Sequence, residues 1–228
     1  MAYQNRKGLH KKLNILELQG YIPCKTQRKI QQKRWQWKSY SSGIHYSAPS
    51  NVLEMGRYND PTARTGICYT ADYAVIAIAE SLGRLYQNRK NFIIGSSDLK
   101  KAQIYTLSTT RKTKLIDISR LQGILHITAD KMTGKHYNLT QSIVDWAANT
   151  PELDYDGITY PSRHYLGMCT AFWAKKERLA PLVELSHCSI DTYSDNRKEN
   201  FPQNWLYDDI SGIEIITETL QFDINIDE

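Results

Sequence analysis

The stretch that most constrains this chain is a strand-to-helix corner around Thr70–Asp72. Ile67 and Tyr69 alternate with the small residues Gly66, Cys68 and Thr70, so residues 66–70 read as a strand. Thr70, Ala71 and Asp72 offer helix-cap side chains, and the run Ala74–Tyr86 follows. Val75, Ile78, Ala79, Leu82 and Tyr86 fall at three- and four-residue spacings, which predicts one apolar face of a helix. Glu80 lies roughly 200° round from Ile78, beside Ile76 and Ala77. A carboxylate on so apolar a helix either points to solvent or lines a pocket. The same corner brings the first turn of a helix, with its free N–H groups, to the end of a strand, an arrangement that holds anions.

The rest of the chain supports one core. Its 228 residues are 41% hydrophobic and 23% charged, an ordinary globular balance. The longest apolar stretch, roughly Tyr73–Leu82, contains Glu80 and is too short for a membrane span. No apolar run follows the basic N-terminal residues, so a secretory signal is not expected. Cys24, Cys68, Cys169 and Cys188 are widely spaced and form no C-x-x-C pair. They read as reduced thiols of a cytoplasmic protein. The net charge of +5 is uneven: residues 1–38 hold ten Lys or Arg and one acid, Glu17, leaving 19 basic and 23 acidic groups for the remainder. A basic accessory segment over 1–34 is therefore set apart from a main domain over 35–228. It reads as a solvated arm or helix face, or as a contact for nucleic acid.

Leu13, Leu16 and Leu18 predict a short helix ending near Gly20. Strands are expected at Trp35–Tyr40, Ile44–Ser47, Lys101–Leu107, Lys114–Ile118, Asp156–Tyr160 and Gly167–Trp173, with a helical turn around Leu121. Asn138–Ala148 reads as a helix, and Ile213–Glu218 with Leu220–Ile226 as a closing strand pair or one long strand. Strands and helices mix without a βαβ rhythm, so the fold class is α+β. No G-x-G-x-x-G follows a strand and no P-loop is present.

Four features carry possible chemistry. Gly56-Arg57-Tyr58-Asn59-Asp60-Pro61 puts a forked cation after a glycine: a phosphate contact, or a surface turn. Tyr69, eleven residues before Glu80, is either a pocket wall or a core aromatic with its hydroxyl satisfied. Glu80, if partly buried, can stabilise positive charge on a ribose or activate a nucleophile. Ser162 follows Pro161 at a strand end, without a G-x-S-x-G elbow, and reads as a hydrogen-bonding rather than a nucleophilic serine. His164 beside it does not make a triad, and the six histidines show no metal-ligand spacing, so no metal site is predicted.

The order of these features resembles the RES family, named for its Arg, Glu and Ser. Its pattern G-G-R-W-N-P-P-G, Y-L-A, A-L-A-x-E and G-x-x-Y-P-S is matched by Gly56–Pro61, Tyr69-Thr70-Ala71, Ala77–Glu80 and Gly157–Ser162. Met168–Trp173 is similar to the apolar strand after the serine, and the resemblance covers roughly residues 35–225. It implies an ADP-ribosyltransferase-like, single-core split mixed sheet with flanking helices. It also implies a cytoplasmic toxin of a toxin–antitoxin pair, restrained by a cognate antitoxin. Such a toxin depletes NAD⁺, its substrate, by cleaving the nicotinamide–ribose bond with water or phosphate, and needs no metal. On this resemblance Arg57 contacts the dinucleotide phosphates, with Tyr58 and Asn59 beside it. Tyr69 packs against or hydrogen-bonds the nicotinamide riboside, Glu80 stabilises or activates at the ribose, and Ser162 supports the pocket. The family's upstream Arg has no direct counterpart: Lys38 substitutes as a substrate-binding point charge, or Arg34 reaches in with a shifted register. Met55 and Tyr58 also replace the first Gly and the Trp of the pattern. Two other outcomes follow from the same residues. One is an ADP-ribosyltransferase acting on a macromolecule. The other is a non-enzymatic module that binds nucleic acid through residues 1–34.

Overall fold

The computed structural model describes residues 6–37, 40–88, 93–134, 137–175, 179–196 and 209–225. Helix α1 (Arg6–Leu18) leads into strands β1 (Cys24–Gln27) and β2 (Gln31–Trp37), and a 3₁₀ turn at Val52–Glu54 precedes β3 (Ile67–Ala71). Helix α2 (Ala74–Asn88) is followed by β4 (Ile94–Gly95), α3 (Ser96–Leu99), β5 (Ala102–Thr109) and β6 (Thr113–Asp117). Then come α4 (Ile118–Ile124), α5 (Ala129–Thr133), α6 (Asn138–Asn149), β7 (Gly157–Pro161), β8 (Met168–Trp173) and β9 (Leu182–Ser189). The short elements β10 (Ser194–Asp195), β11 (Ile210–Ser211), α7 (Gly212–Glu214), a π-helical turn (Ile215–Thr219) and β12 (Ile224–Asn225) close the chain.

Eight strands form one mixed sheet in the order β1-β6-β7-β8-β3-β2-β5-β9. Among the described residues of this sheet, only β6 and β7 run parallel. The α+β, split mixed sheet with flanking helices expected from the sequence is what the chain folds into. The split lies between the fifth and sixth strands of that order, β3 and β2. β3 is paired along its whole length with β8, and β2 with β5. β2 and β3 meet at one position, Lys33 opposite Ala71.

Helix α2 covers that junction. Val75, Ile76, Ala77, Ile78 and Leu82 are all buried in the main core, together with Trp35, Ile67 and Ala71 of the sheet. A smaller cluster of Cys68, Tyr105, Leu107, Leu115, Phe172 and Leu182 occupies the opposite face. Among the described residues, no helix is long and apolar enough to cross a membrane.

The basic segment at the start is built into this architecture. Leu9, Leu13 and Leu16 of α1 are buried in the main core, while Leu18 is exposed. Arg6 pairs with the buried Asp145 on α6. Residues 24–27 and 31–37 are strands of the sheet.

Two expected elements fold otherwise. Ile44–Ser47 is not a strand; Ser47 makes an isolated bridge to Ile67. Of the closing strand pair, Ile213–Glu218 is replaced by a helical turn, while Leu220–Ile226 keeps a short strand at Ile224–Asn225 that pairs with β4. The branched run Ile213, Ile215, Ile216 favours a strand, but a capping box outweighs it: Glu214 N–H donates to Ser211 Oγ and Ser211 N–H donates to Glu214 Oε2 (2.8 Å). Ile215 and Ile216 are then buried side by side. β1 and β9 had no signal as strong as alternation, because both are mostly exposed sheet edges.

Candidate active site

A cavity of about 260 Å³ opens at the split in the sheet. β2 contributes Lys33 and Trp35, β3 contributes Tyr69, Thr70 and Ala71, and α2 contributes Ala77, Glu80, Ser81 and Arg84. The turn after the 3₁₀ segment brings Gly56, Arg57 and Tyr58, β7 brings Tyr160, and the β7–β8 connection brings Arg163 and His164. The lining holds four cationic side chains, Lys33, Arg57, Arg84 and Arg163, against one carboxylate, Glu80. That imbalance suits an anionic ligand.

Glu80 faces this cavity rather than bulk solvent, and one of its oxygens is fixed. Ser162 Oγ donates to Glu80 Oε1 at 2.6 Å, and the Arg163 N–H donates to the same oxygen at 2.7 Å. Ser162 Oγ in turn accepts the N–H groups of His164 and Tyr165, each at 3.2 Å. The hydroxyl is therefore oriented by the backbone and spent on the carboxylate. Oε2 accepts no hydrogen bond among the described residues, which leaves it for the cavity. The ring of His164 takes no part in the Ser162 contact, so no Ser–His relay exists. Instead that ring packs on Gly83 of α2, where a Cβ atom would fall within it.

Arg57 projects from a tight turn. The Asn59 N–H donates to Gly56 O (3.2 Å), and the Gly56 N–H donates to Asn59 Oδ1 (2.6 Å). Tyr69 Oη accepts from the Tyr58 N–H (3.1 Å) and donates to Asn59 Oδ1 (3.0 Å). A side chain at Gly56 would put Cβ 2.8 Å from Tyr69 Oη and 2.9 Å from Asn59 Oδ1, so glycine is required there. The Arg57 guanidinium lies 5.6 Å from the Tyr58 ring centroid and 5.8 Å from that of Tyr160. Those two rings stand 4.3 Å apart. Arg57 Nε is buried without a partner among the described residues, so a donor stands ready for an anion.

The electrostatics keep the aromatic wall neutral. Burial pushes the Tyr58 phenol up to about 12, against the pull of the Arg57 charge. Burial also raises Tyr69 and Tyr160. The Cys169 thiol is raised by burial and by the nearby Glu80. His164 is pulled below its ordinary value, first by burial, with Arg163 and Arg57 acting the same way and Glu80 opposing.

The residues expected from the sequence thus divide by role. Arg57, Tyr58, Tyr69 and Glu80 line one cavity. Tyr69 does so with its ring, because its hydroxyl is occupied by the Arg57 turn. Asn59 is buried under that turn, and Ser162 sits behind Glu80; both hold a lining residue in place. Lys38 lies outside the described residues. The Arg34 guanidinium turns to the opposite face of the sheet, donating to His45 O (3.0 Å) and contacting the Sγ of Cys68. Lys33, one residue earlier, is on the cavity side, with Nζ bonded to Thr106 Oγ1 (2.8 Å).

Arg84 and Arg163 were not singled out in the sequence. Arg84 is one helical turn beyond Glu80, so the four-residue spacing carried the signal. Arg163 follows Ser162 directly. Thr140 and Gln141, which reach the Arg57 turn from α6, had no local signature.

The structure is similar to a chain in the crystal structure of the M. tuberculosis MbcT–MbcA toxin–antitoxin complex, with a TM-score of 0.56 at 14% identity, covering 94% of this chain and 97% of that one. A search of curated proteins finds no match. The family model of the RES domain matches residues 26–192, a span from β1 through β9 that holds every residue of the cavity. The chain therefore belongs to the RES domain family.

Proposed function

We propose that this chain consumes NAD⁺ by cleaving its nicotinamide–ribose bond. The observation that carries the reading is Glu80: one carboxylate oxygen pinned by Ser162 and the Arg163 N–H, the other without a hydrogen bond among the described residues, in a cavity whose other charged side chains are cations and whose phenols are neutral. Arg57 and the cationic rim take the diphosphate. The tyrosine rings pack against the nicotinamide riboside. As the C1′–N bond breaks, its electron pair leaves with nicotinamide, neutralising the pyridinium, and positive charge develops on the ribose. Glu80 stabilises that charge from a fixed position, so little reorganisation is needed when it forms. An acceptor oxygen, from water or phosphate, then bonds C1′ and passes its proton to bulk water. No step requires a metal.

The fold neighbour was solved as part of a toxin–antitoxin complex. With family membership, that supports a toxin role for this chain and a cognate antitoxin protein as its partner. The test is direct. Purified protein mixed with NAD⁺ is expected to release nicotinamide, and Glu80→Ala to abolish release while the protein stays folded. Absence of turnover by folded wild type, with and without phosphate, overturns the reading. Transfer of labelled ADP-ribose onto a macromolecule would replace it with a transferase.

A further inference from the structure

Both peptide planes that flank the Arg57 Cα are pinned, and helix α6 does much of the pinning. Gln141 Nε2 donates to Gly56 O at 3.1 Å. Thr140 Oγ1 donates to Arg57 O at 2.6 Å, with Tyr137 O of its own helix as a second acceptor at 3.0 Å. From the other side the Tyr58 N–H is held by Tyr69 Oη. Thr140 and Gln141 are both buried. A hydroxyl and a primary amide buried on a helix cost stability unless they are bonded, and here they bond to the two carbonyls on either side of Arg57. With those planes fixed, the guanidinium leaves the backbone in one direction, into the cavity, where its Nε has no partner among the described residues.

We infer that Thr140 and Gln141 are positioning residues for Arg57, holding its guanidinium where the anionic part of the substrate binds. The inference rests on the NAD⁺ reading above. It assigns α6 a part in ligand affinity although neither side chain lines the cavity. The competing role is local: the Thr140 hydroxyl bonding Tyr137 O and serving only its own helix.

The test uses Thr140→Val, which keeps the shape and loses the hydroxyl, Thr140→Ser, which keeps the hydroxyl, and Gln141→Met as an independent variant. NAD⁺ affinity is measured by calorimetry, and KM and kcat by nicotinamide release. Thr140→Val is expected to raise Kd and KM about tenfold with kcat within about twofold, and Thr140→Ser to restore them. In an Arg57→Ala background Thr140→Val should add nothing, because the two act as one unit. Wild-type Kd in folded Thr140→Val and Gln141→Met, or the same loss with Arg57 already removed, overturns the inference while the NAD⁺ reading stands. Wild type that binds NAD⁺ without turnover overturns that reading, and calorimetry still decides the clamp. Wild type that neither binds nor turns over NAD⁺ overturns both.

Discussion

Ser162 Oγ and Glu80 Oε1 lie 2.6 Å apart although 82 residues separate them in the chain. The contact ties the β7–β8 connection to the middle of α2, and it turns a serine at a strand end into the orienting partner of a carboxylate. Ser162→Ala is therefore expected to lower kcat for nicotinamide release by about 10- to 100-fold, the cost of one hydrogen bond to a charged group. KM should change little. Steady-state kinetics with a melting curve for the same sample checks this; a large KM rise with unchanged kcat would assign Ser162 to substrate binding instead.

Arg57 offers a fork that lysine cannot copy. Arg57→Lys should raise KM about tenfold and Arg57→Ala about a hundredfold, with the Lys variant more sensitive to added salt. Equal kinetics for Lys and Arg would mean that only a point charge is needed.

Gly83 gives a prediction of unusual sign. Inside an exposed helix Gly→Ala stabilises by about 1 kcal/mol. Here the new methyl would enter the His164 ring, so Gly83→Ala should destabilise by about 1–3 kcal/mol and reduce kcat by displacing the Ser162 loop. Gly83→Ala combined with His164→Ala should recover part of both. A rise in melting temperature for Gly83→Ala alone would refute this packing.

The pH dependence follows from His164. Its folded value lies below the ordinary 6.5, so the unfolded chain binds more protons as pH drops through that value. The stability that neutral His164 contributes is present above 6.5 and is lost as pH falls toward the folded value. Thermal melts between pH 5 and 7.5 should show a shallower acid slope for His164→Gln than for wild type, and identical slopes would remove His164 as the cause.

Local periodicity carried much of the architecture. Helix α2 was legible because its apolar spacing is strong and its strand-side entry alternates cleanly. Glu80 was legible as an acid in the wrong company. The part that local pattern misses is contact across the chain. Thr140 and Gln141 read as ordinary helix residues until α6 is laid against the Arg57 turn. Arg34 and Lys33 look interchangeable as cations, and only strand alternation within the folded sheet sends one to each face. The Ile213–Ile216 run misled for the converse reason: a capping box at Ser211–Glu214 outweighs branched side chains that would favour a strand.

The lone rung between β2 and β3, Lys33 opposite Ala71, has a mechanical corollary. Two half-sheets share that one backbone rung, backed by Thr70 Oγ1 donating to Gln32 Oε1 (2.8 Å), and the cavity lies in the gap beside it. Whatever occupies the gap touches both halves at once. An occupant thus acts as mortar between two blocks, and filling the cleft stiffens the whole molecule rather than one wall of it. Hydrogen exchange in β2 and β3, far more than in β7 or β8, is where that stiffening should register.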